Sequence, residues 1–197
     1  MRRPPLPVLI AIALPVLLAL VVAGIAVTAR LTGFGEPPPV VADTSPLAAP
    51  PVEAPDAGGP DCTSLLAALE GDLPADGGTL PVRALAEPAP PGVRAWAAVP
   101  RPVVLRCGLP RPAELAPDSA LLVVDGVQWL ELGRSDAPSA DAAVDGVSPE
   151  PVVVTYVAVD RPVYVVLTAP VDAGSGPLQA VSGVVRDTLP AVPVAVR

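Results

Sequence analysis

Leu121-Leu122-Val123-Val124-Asp125-Gly126-Val127-Gln128-Trp129-Leu130-Glu131-Leu132 sets two apolar, β-branched runs on either side of an Asp-Gly pair. Asp-Gly suits the centre of a two-residue hairpin turn, where both residues must take positive φ. The stretch predicts strands over 121–124 and 127–132. Toward the C-terminus, residues 152–159 and 163–169 flank Asp160-Arg161-Pro162 and predict a second strand pair. Leu178, Val181, Val185 and Leu189 then recur at helical spacing and predict a helix over 176–189. Toward the N-terminus, 103–107 is a compact β-branched run closed by Gly108 and Pro110. Residues 81–86 and 93–98 are further candidate strands. Asp61 or Thr63 can cap a short helix carrying Leu65, Leu66 and Leu69, ended by Gly71 and Pro74. Residues 134–149 are small, polar and weakly acidic, and predict a loop. The fold class that follows is α+β: a small antiparallel sheet with a short N-terminal helix and a C-terminal helix, over 61–197.

A transmembrane helix is expected ahead of this domain. Residues 6–29 carry no charged side chain in a stretch of Leu, Val, Ile and Ala. As a helix, about 24 residues at roughly 1.5 Å each would span about 36 Å, enough for a hydrocarbon core of about 30 Å. Arg2 and Arg3 precede the run, so residues 1–5 are expected in the cytoplasm and the rest of the chain outside it. The competing reading is a cleaved signal peptide, with Val27 and Ala29 before a cut at Arg30. No cysteine closes the apolar run, which excludes a lipoprotein anchor. Residues 30–60 are rich in proline, including Pro37, Pro38 and Pro39, without periodicity. They predict a disordered, partly polyproline II spacer.

Composition narrows the partners. Lys, His and Asn are absent from the 197 residues, and Pro occurs 30 times. The pattern reads as the codon bias of a GC-rich genome. Setting aside Arg2, Arg3 and Arg30, nine Arg face all 20 acids, a balance of −11 beyond the anchor. Such a domain repels a phosphate backbone, so nucleic acid is not an expected partner.

Cys62 and Cys107 are the only two cysteines. An even count in a domain expected outside the cytoplasm favours a disulfide. Two separate thiols or a redox pair are the alternatives, although no Cys-x-x-Cys spacing exists. Two Cys without His cannot complete a zinc site, so no metal and no cofactor is expected.

The stretch Pro102-Val103-Val104-Leu105-Arg106-Cys107-Gly108-Leu109-Pro110-Arg111-Pro112 carries a P-x-V-L-R-C-G-x-P-x-P core. Trp96 stands before it and Val124-Asp125-Gly126-Val127-Gln128-Trp129 after it. With the early Cys62 and the apolar N-terminus, the chain resembles an actinobacterial family of membrane-anchored or secreted domains of unknown function. The likeness covers roughly residues 61–190, although Ala97-Ala98 departs from the acidic or Gly residues usual there. It implies an extracytoplasmic location and a disulfide, and supplies no established activity.

Candidate binding residues are few. Arg94, Arg101, Arg106 and Arg111 gather in an otherwise acidic domain and suggest a patch for an anionic glycan, polymer or partner face. Their bland reading is pairing with the domain's own carboxylates. Arg106 alternates with apolar neighbours beside Cys107, and must be paired if it points inward. Trp96 and Trp129 suggest a sugar-stacking groove, or equally core packing. Catalysis has little footing. A Ser-His-Asp arrangement needs His and a Ser-Lys variant needs Lys. Asp118, Asp125 and Asp160 remain as carboxylates without a catalytic context. The expectation is a non-enzymatic interaction or accessory domain tethered at the cell envelope, with an envelope protein or glycan as partner. The alternative is a glycan- or polymer-binding module using the Trp and Arg side chains.

Overall fold

The computed structural model describes residues 15–25, 27–28, 41–135 and 153–195. The chain divides into two compact units, Met1–Pro39 and Val40–Arg197. In the first unit, residues 15–25 are helical with every side chain exposed. Among the described residues no helix is long and apolar enough to cross a membrane. The expected 6–29 span extends beyond them at 6–14, 26 and 29.

The second unit contains α1 (Pro60–Ala68), β1 (Leu73–Ala75), β2 (Gly78–Leu80), β3 (Val82–Arg83), β4 (Val93–Trp96) and β5 (Val103–Leu109). After a long connection come β6 (Leu121–Val124), β7 (Val127–Ser135), β8 (Val153–Ala158), β9 (Tyr164–Pro170) and α2 (Gly176–Thr188). Seven strands form one sheet in the order β3-β4-β5-β9-β8-β7-β6, with every neighbouring pair antiparallel. The connection after β5 carries the chain to the far edge, and β6 to β9 meander back until β9 closes on β5.

The register assigns the two faces. Leu122, Trp129, Ala158, Val165 and Cys107 are successive cross-strand partners on one of them. Both helices cover this face: Leu65 and Leu69 of the α1 region and Leu178, Val181, Val185 and Leu189 of the α2 region join the main core there. Leu121, Leu130, Val157, Val166, Arg106 and Val93 form a row on the other face. A smaller core of Leu115, Leu130, Val157 and Val159 lies there, with Val194 of the C-terminal segment packed against it.

Three expectations change. Neither Asp61 nor Thr63 caps α1: Gly59 is the N-cap without a side-chain bond, and Pro60 takes the first turn. Proline suits that place because its missing N–H would be unpaired anyway. Pro74, read as a helix stop, instead lies in the β1–β2 hairpin, which turns at Asp76-Gly77. The expected disordered spacer 30–60 also ends early. Leu47 donates to Ala84 O and accepts from Ala86 N, at 2.8 and 2.9 Å. Arg83, which is buried, reaches Asp43 at 2.6 Å and Ser45 O at 2.6 Å. Bonds from Ser45, then the Arg83 charge, hold the Asp43 carboxyl below its ordinary pKa. Residues 41–60 therefore belong to the domain through single long-range contacts that leave no periodic signal. The expected loop at 134–149 falls mostly outside the described residues, while β7 continues to Ser135.

Gly108 explains how this segment crosses the sheet. Its φ is +85°, and a Cβ there would lie 2.3 Å from Ala57 N and 2.5 Å from Asp56 C. Asp56 N donates to Gly108 O at 3.2 Å, and Ala57 is buried. Gly108→Ala is expected to lose about 1–3 kcal/mol from the backbone conformation alone. Displacing residues 54–57 adds to that, and a urea melt of the variant measures the sum. An unchanged midpoint would show that the segment does not cross there.

Candidate functional site

Strand β5 places the most unusual side chain in the domain. Val103, Leu105 and Cys107 are buried toward the helices, so strand alternation sends Arg106 to the opposite face. There it lies between its cross-strand partners Val93 and Val166. Pro51, Val52 and Ala54 form one wall beside it, and Pro90, Pro91, Gly92 and Val93 another, around a cleft of about 110 Å³. Gly92 and Gly108 let the two walls approach, since a Cβ on either would strike residue 57.

Arg106 Nη1 is buried without a hydrogen-bond partner. Burial pushes the guanidinium pKa below its ordinary value, but arginine stays protonated at any physiological pH. Arg106 as a whole is half-buried, and its Nη1 has no acceptor within the protein, which leaves this nitrogen available to an anionic group. Glu53 and Asp56, the carboxylates on the 51–56 wall, are exposed. The arrangement therefore presents one fixed positive charge at an apolar, proline-walled opening. Its chemistry is the binding of an anionic group.

The other three arginines do not join it. Arg94 faces the opposite side of the sheet, where its Nη2 donates to Leu66 O at 3.0 Å near the end of α1. Arg111 secures the C-terminal segment, donating from Nε to Ala195 O at 3.0 Å and from Nη2 to Leu115 O. Arg101 is exposed in the connection between β4 and β5. Of the expected patch 94–111, Arg106 alone is among the described residues lining the cleft: strand alternation sends Arg94 to the other face, and Arg101 and Arg111 lie outside the strands.

Trp96 and Trp129 are fully buried in the main core. Trp96 Nε1 donates to Gly71 O, and Trp129 Nε1 to Ser182 Oγ, both at 2.9 Å. Ser182 Oγ in turn donates to Leu178 O at 2.7 Å, so β7 is bonded through to α2. Neither indole has a face free for a sugar, which corrects the stacking groove. Cys62 and Cys107 form a disulfide with a Cα–Cα distance of 5.6 Å, joining α1 to β5.

Among the carboxylates, Asp125 is a turn residue with φ +48° and Asp118 is exposed. Asp160 is buried and paired with Arg161, Nη1 to Oδ2 at 2.9 Å. Among the described residues no three His, Cys, Asp or Glu side chains gather for a metal ion. A larger groove of about 350 Å³ lies between β6, β8, β9 and the start of α2, lined by Leu122, Val124, Tyr156 and Leu178 among others. Among the described residues lining it, none is charged. The sequence places Arg106 between apolar strand neighbours beside Cys107. It gives no sign of Pro51, Val52 and Ala54 beyond their proline content.

No curated protein and no solved structure matches the chain. A family model does, over residues 11–194, and that family is described as a protein of unknown function, DUF3515. The match takes in both the sheet domain and most of the apolar segment before it, and the chain belongs to the DUF3515 family.

Proposed function

We propose that this protein is a membrane-tethered, extracytoplasmic interaction domain of the cell envelope that binds a partner and carries out no chemistry on it. The observation that carries the reading is the Cys62–Cys107 disulfide downstream of an uncharged apolar segment. Disulfides persist in oxidising compartments, outside the cytoplasm. The described part of the apolar segment is helical, and its Leu and Val side chains are exposed. Exposed apolar surface of that kind calls for an apolar surrounding. The acidic balance of the domain argues for a protein or neutral glycan neighbour over a nucleic acid or an anionic lipid surface.

The test is fractionation of the full chain from intact cells. Resistance of the chain to alkaline extraction is expected, together with digestion of the domain by protease added outside. Intact mass should retain residues 1–29 and gain two alkyl adducts only after reduction. Release into the soluble fraction with free thiols would remove the reading. The glycan-binding alternative loses its stacking residues with both tryptophans in the core, and no other observation favours it.

A further inference from the structure

We infer that the Arg106 cleft captures the terminal carboxylate of a peptide chain. This deepens the proposed function by naming the group bound, and it depends on that reading only for the compartment in which the peptide is met.

Charge selects the class of ligand. Arg106 is the only ionisable side chain among the described residues lining the cleft, which are otherwise Pro, Val, Ala, Gly, Leu and the disulfide-bonded Cys107. One guanidinium matches one monoanion. A dianionic phosphate would leave a second charge uncompensated against apolar walls, beside the carboxylates of Glu53 and Asp56. The guanidinium fork also fits the two oxygens of a carboxylate with parallel hydrogen bonds. Nη1 already stands buried and unpartnered, so a bound carboxylate supplies an acceptor that the protein itself does not.

Size selects the end of a chain over a whole molecule. The cleft of about 110 Å³ is well below the roughly 300–1,000 Å³ of pockets that enclose a small molecule. It has room for a carboxylate and a short side chain. Pro51, Pro90 and Pro91 form walls with little conformational freedom to lose when the terminal residue enters.

The experiment uses the full chain in a non-ionic detergent, labelled with 15N at arginine. Twelve arginines give a readable set of side-chain signals, and Arg106→Lys identifies the one of interest. N-acetylalanine is titrated at constant ionic strength. A saturating shift of the Arg106 Nε–H signal is expected, with a midpoint in the millimolar range. N-acetylalaninamide, which lacks the charge, should produce no shift. Arg106→Lys keeps the charge without the fork and should weaken binding roughly tenfold, read from the amides of Val93 and Gly108 in uniformly labelled protein. Unchanged Arg94 and Arg111 signals would show the variant to be folded. The inference is overturned by a linear response, or by an equal response to the neutral amide. Saturation by inorganic phosphate or glucuronate but not by N-acetylalanine would also overturn it. So would a shift of the Arg106 signal in Glu53→Gln, which would mean that the chain already supplies its own carboxylate. Because the readout does not depend on cellular location, a soluble, cytoplasmic chain that still bound N-acetylalanine would leave the cleft standing while removing the tether.

Discussion

A chain carrying Cys62→Ala and Cys107→Ala is expected to unfold with about 4 kcal/mol less stability than the parent. The bridge spans a sequence separation of 45, and in the chain-entropy model closing a loop of that length removes about this much freedom from the unfolded state. Both sulfurs are buried in the main core, so the smaller alanines also leave unfilled space there. The loss is a large part of the roughly 5–15 kcal/mol that stabilises an ordinary domain. It should fall on a defined place: α1 is anchored to β5 by this bond, and Arg94 to Leu66 O is a second link between that helix and the sheet. Urea melts of parent and variant at matched pH give the difference. A loss below about 1 kcal/mol would mean that the unfolded chain is compact enough already to hold these segments together.

Asp160→Ala is expected to cost about 3–5 kcal/mol, the usual consequence of removing one member of a buried ion pair. Asp160 and Arg161 are 3% and 5% exposed, in the connection from β8 to β9. Beyond the ion pair, Arg161 donates to Asp160 O at 2.9 Å and to Gly126 O at 3.1 Å, linking the β8–β9 turn to the β6–β7 turn. Val192 N also donates to Asp160 O at 2.9 Å, which brings in the C-terminal segment. Asp160 Oδ1 and Arg161 Nε lack partners, so the pair is not fully satisfied even when intact. Alanine at 160 would leave the guanidinium buried with carbonyl oxygens alone. The double variant Asp160→Ala with Arg161→Met should lose less than Asp160→Ala, because no charge is then stranded. If the double variant were the less stable, the packing of Arg161 would outweigh its charge.

Much of the sheet is legible in the amino-acid sequence. The Asp125-Gly126 and Asp160-Arg161-Pro162 turns, the β-branched runs around them and the spacing of Leu178, Val181, Val185 and Leu189 are local signals. Each rests on residues close together in the chain. The β1–β2 hairpin has a signal too, in Asp76-Gly77, but Pro74 outweighs it as a breaker. A hairpin with no third strand tolerates a residue that has no N–H to give. Residues 41–60 carry no readable signal. They are held by Leu47 against residues 84–86 just after β3, by Arg83 on Asp43 and by the crossing at Gly108, and each of those contacts depends on a partner dozens of positions away.

The candidate site divides in the same manner. By itself the sequence determined that Arg106 sits in an apolar strand beside a cysteine, because strand alternation is a property of neighbours in the chain. It determined the charge balance and the pairing available to two cysteines as well. Only the tertiary structure decided that Arg94 and Arg106 face opposite sides, that both tryptophans are sealed under helices, and that a proline-rich stretch walls a cleft around one unpartnered nitrogen. Those outcomes follow from which strand pairs with which and what crosses above it. Such pairings are made between residues far apart in sequence, where composition and spacing carry no record of the partner.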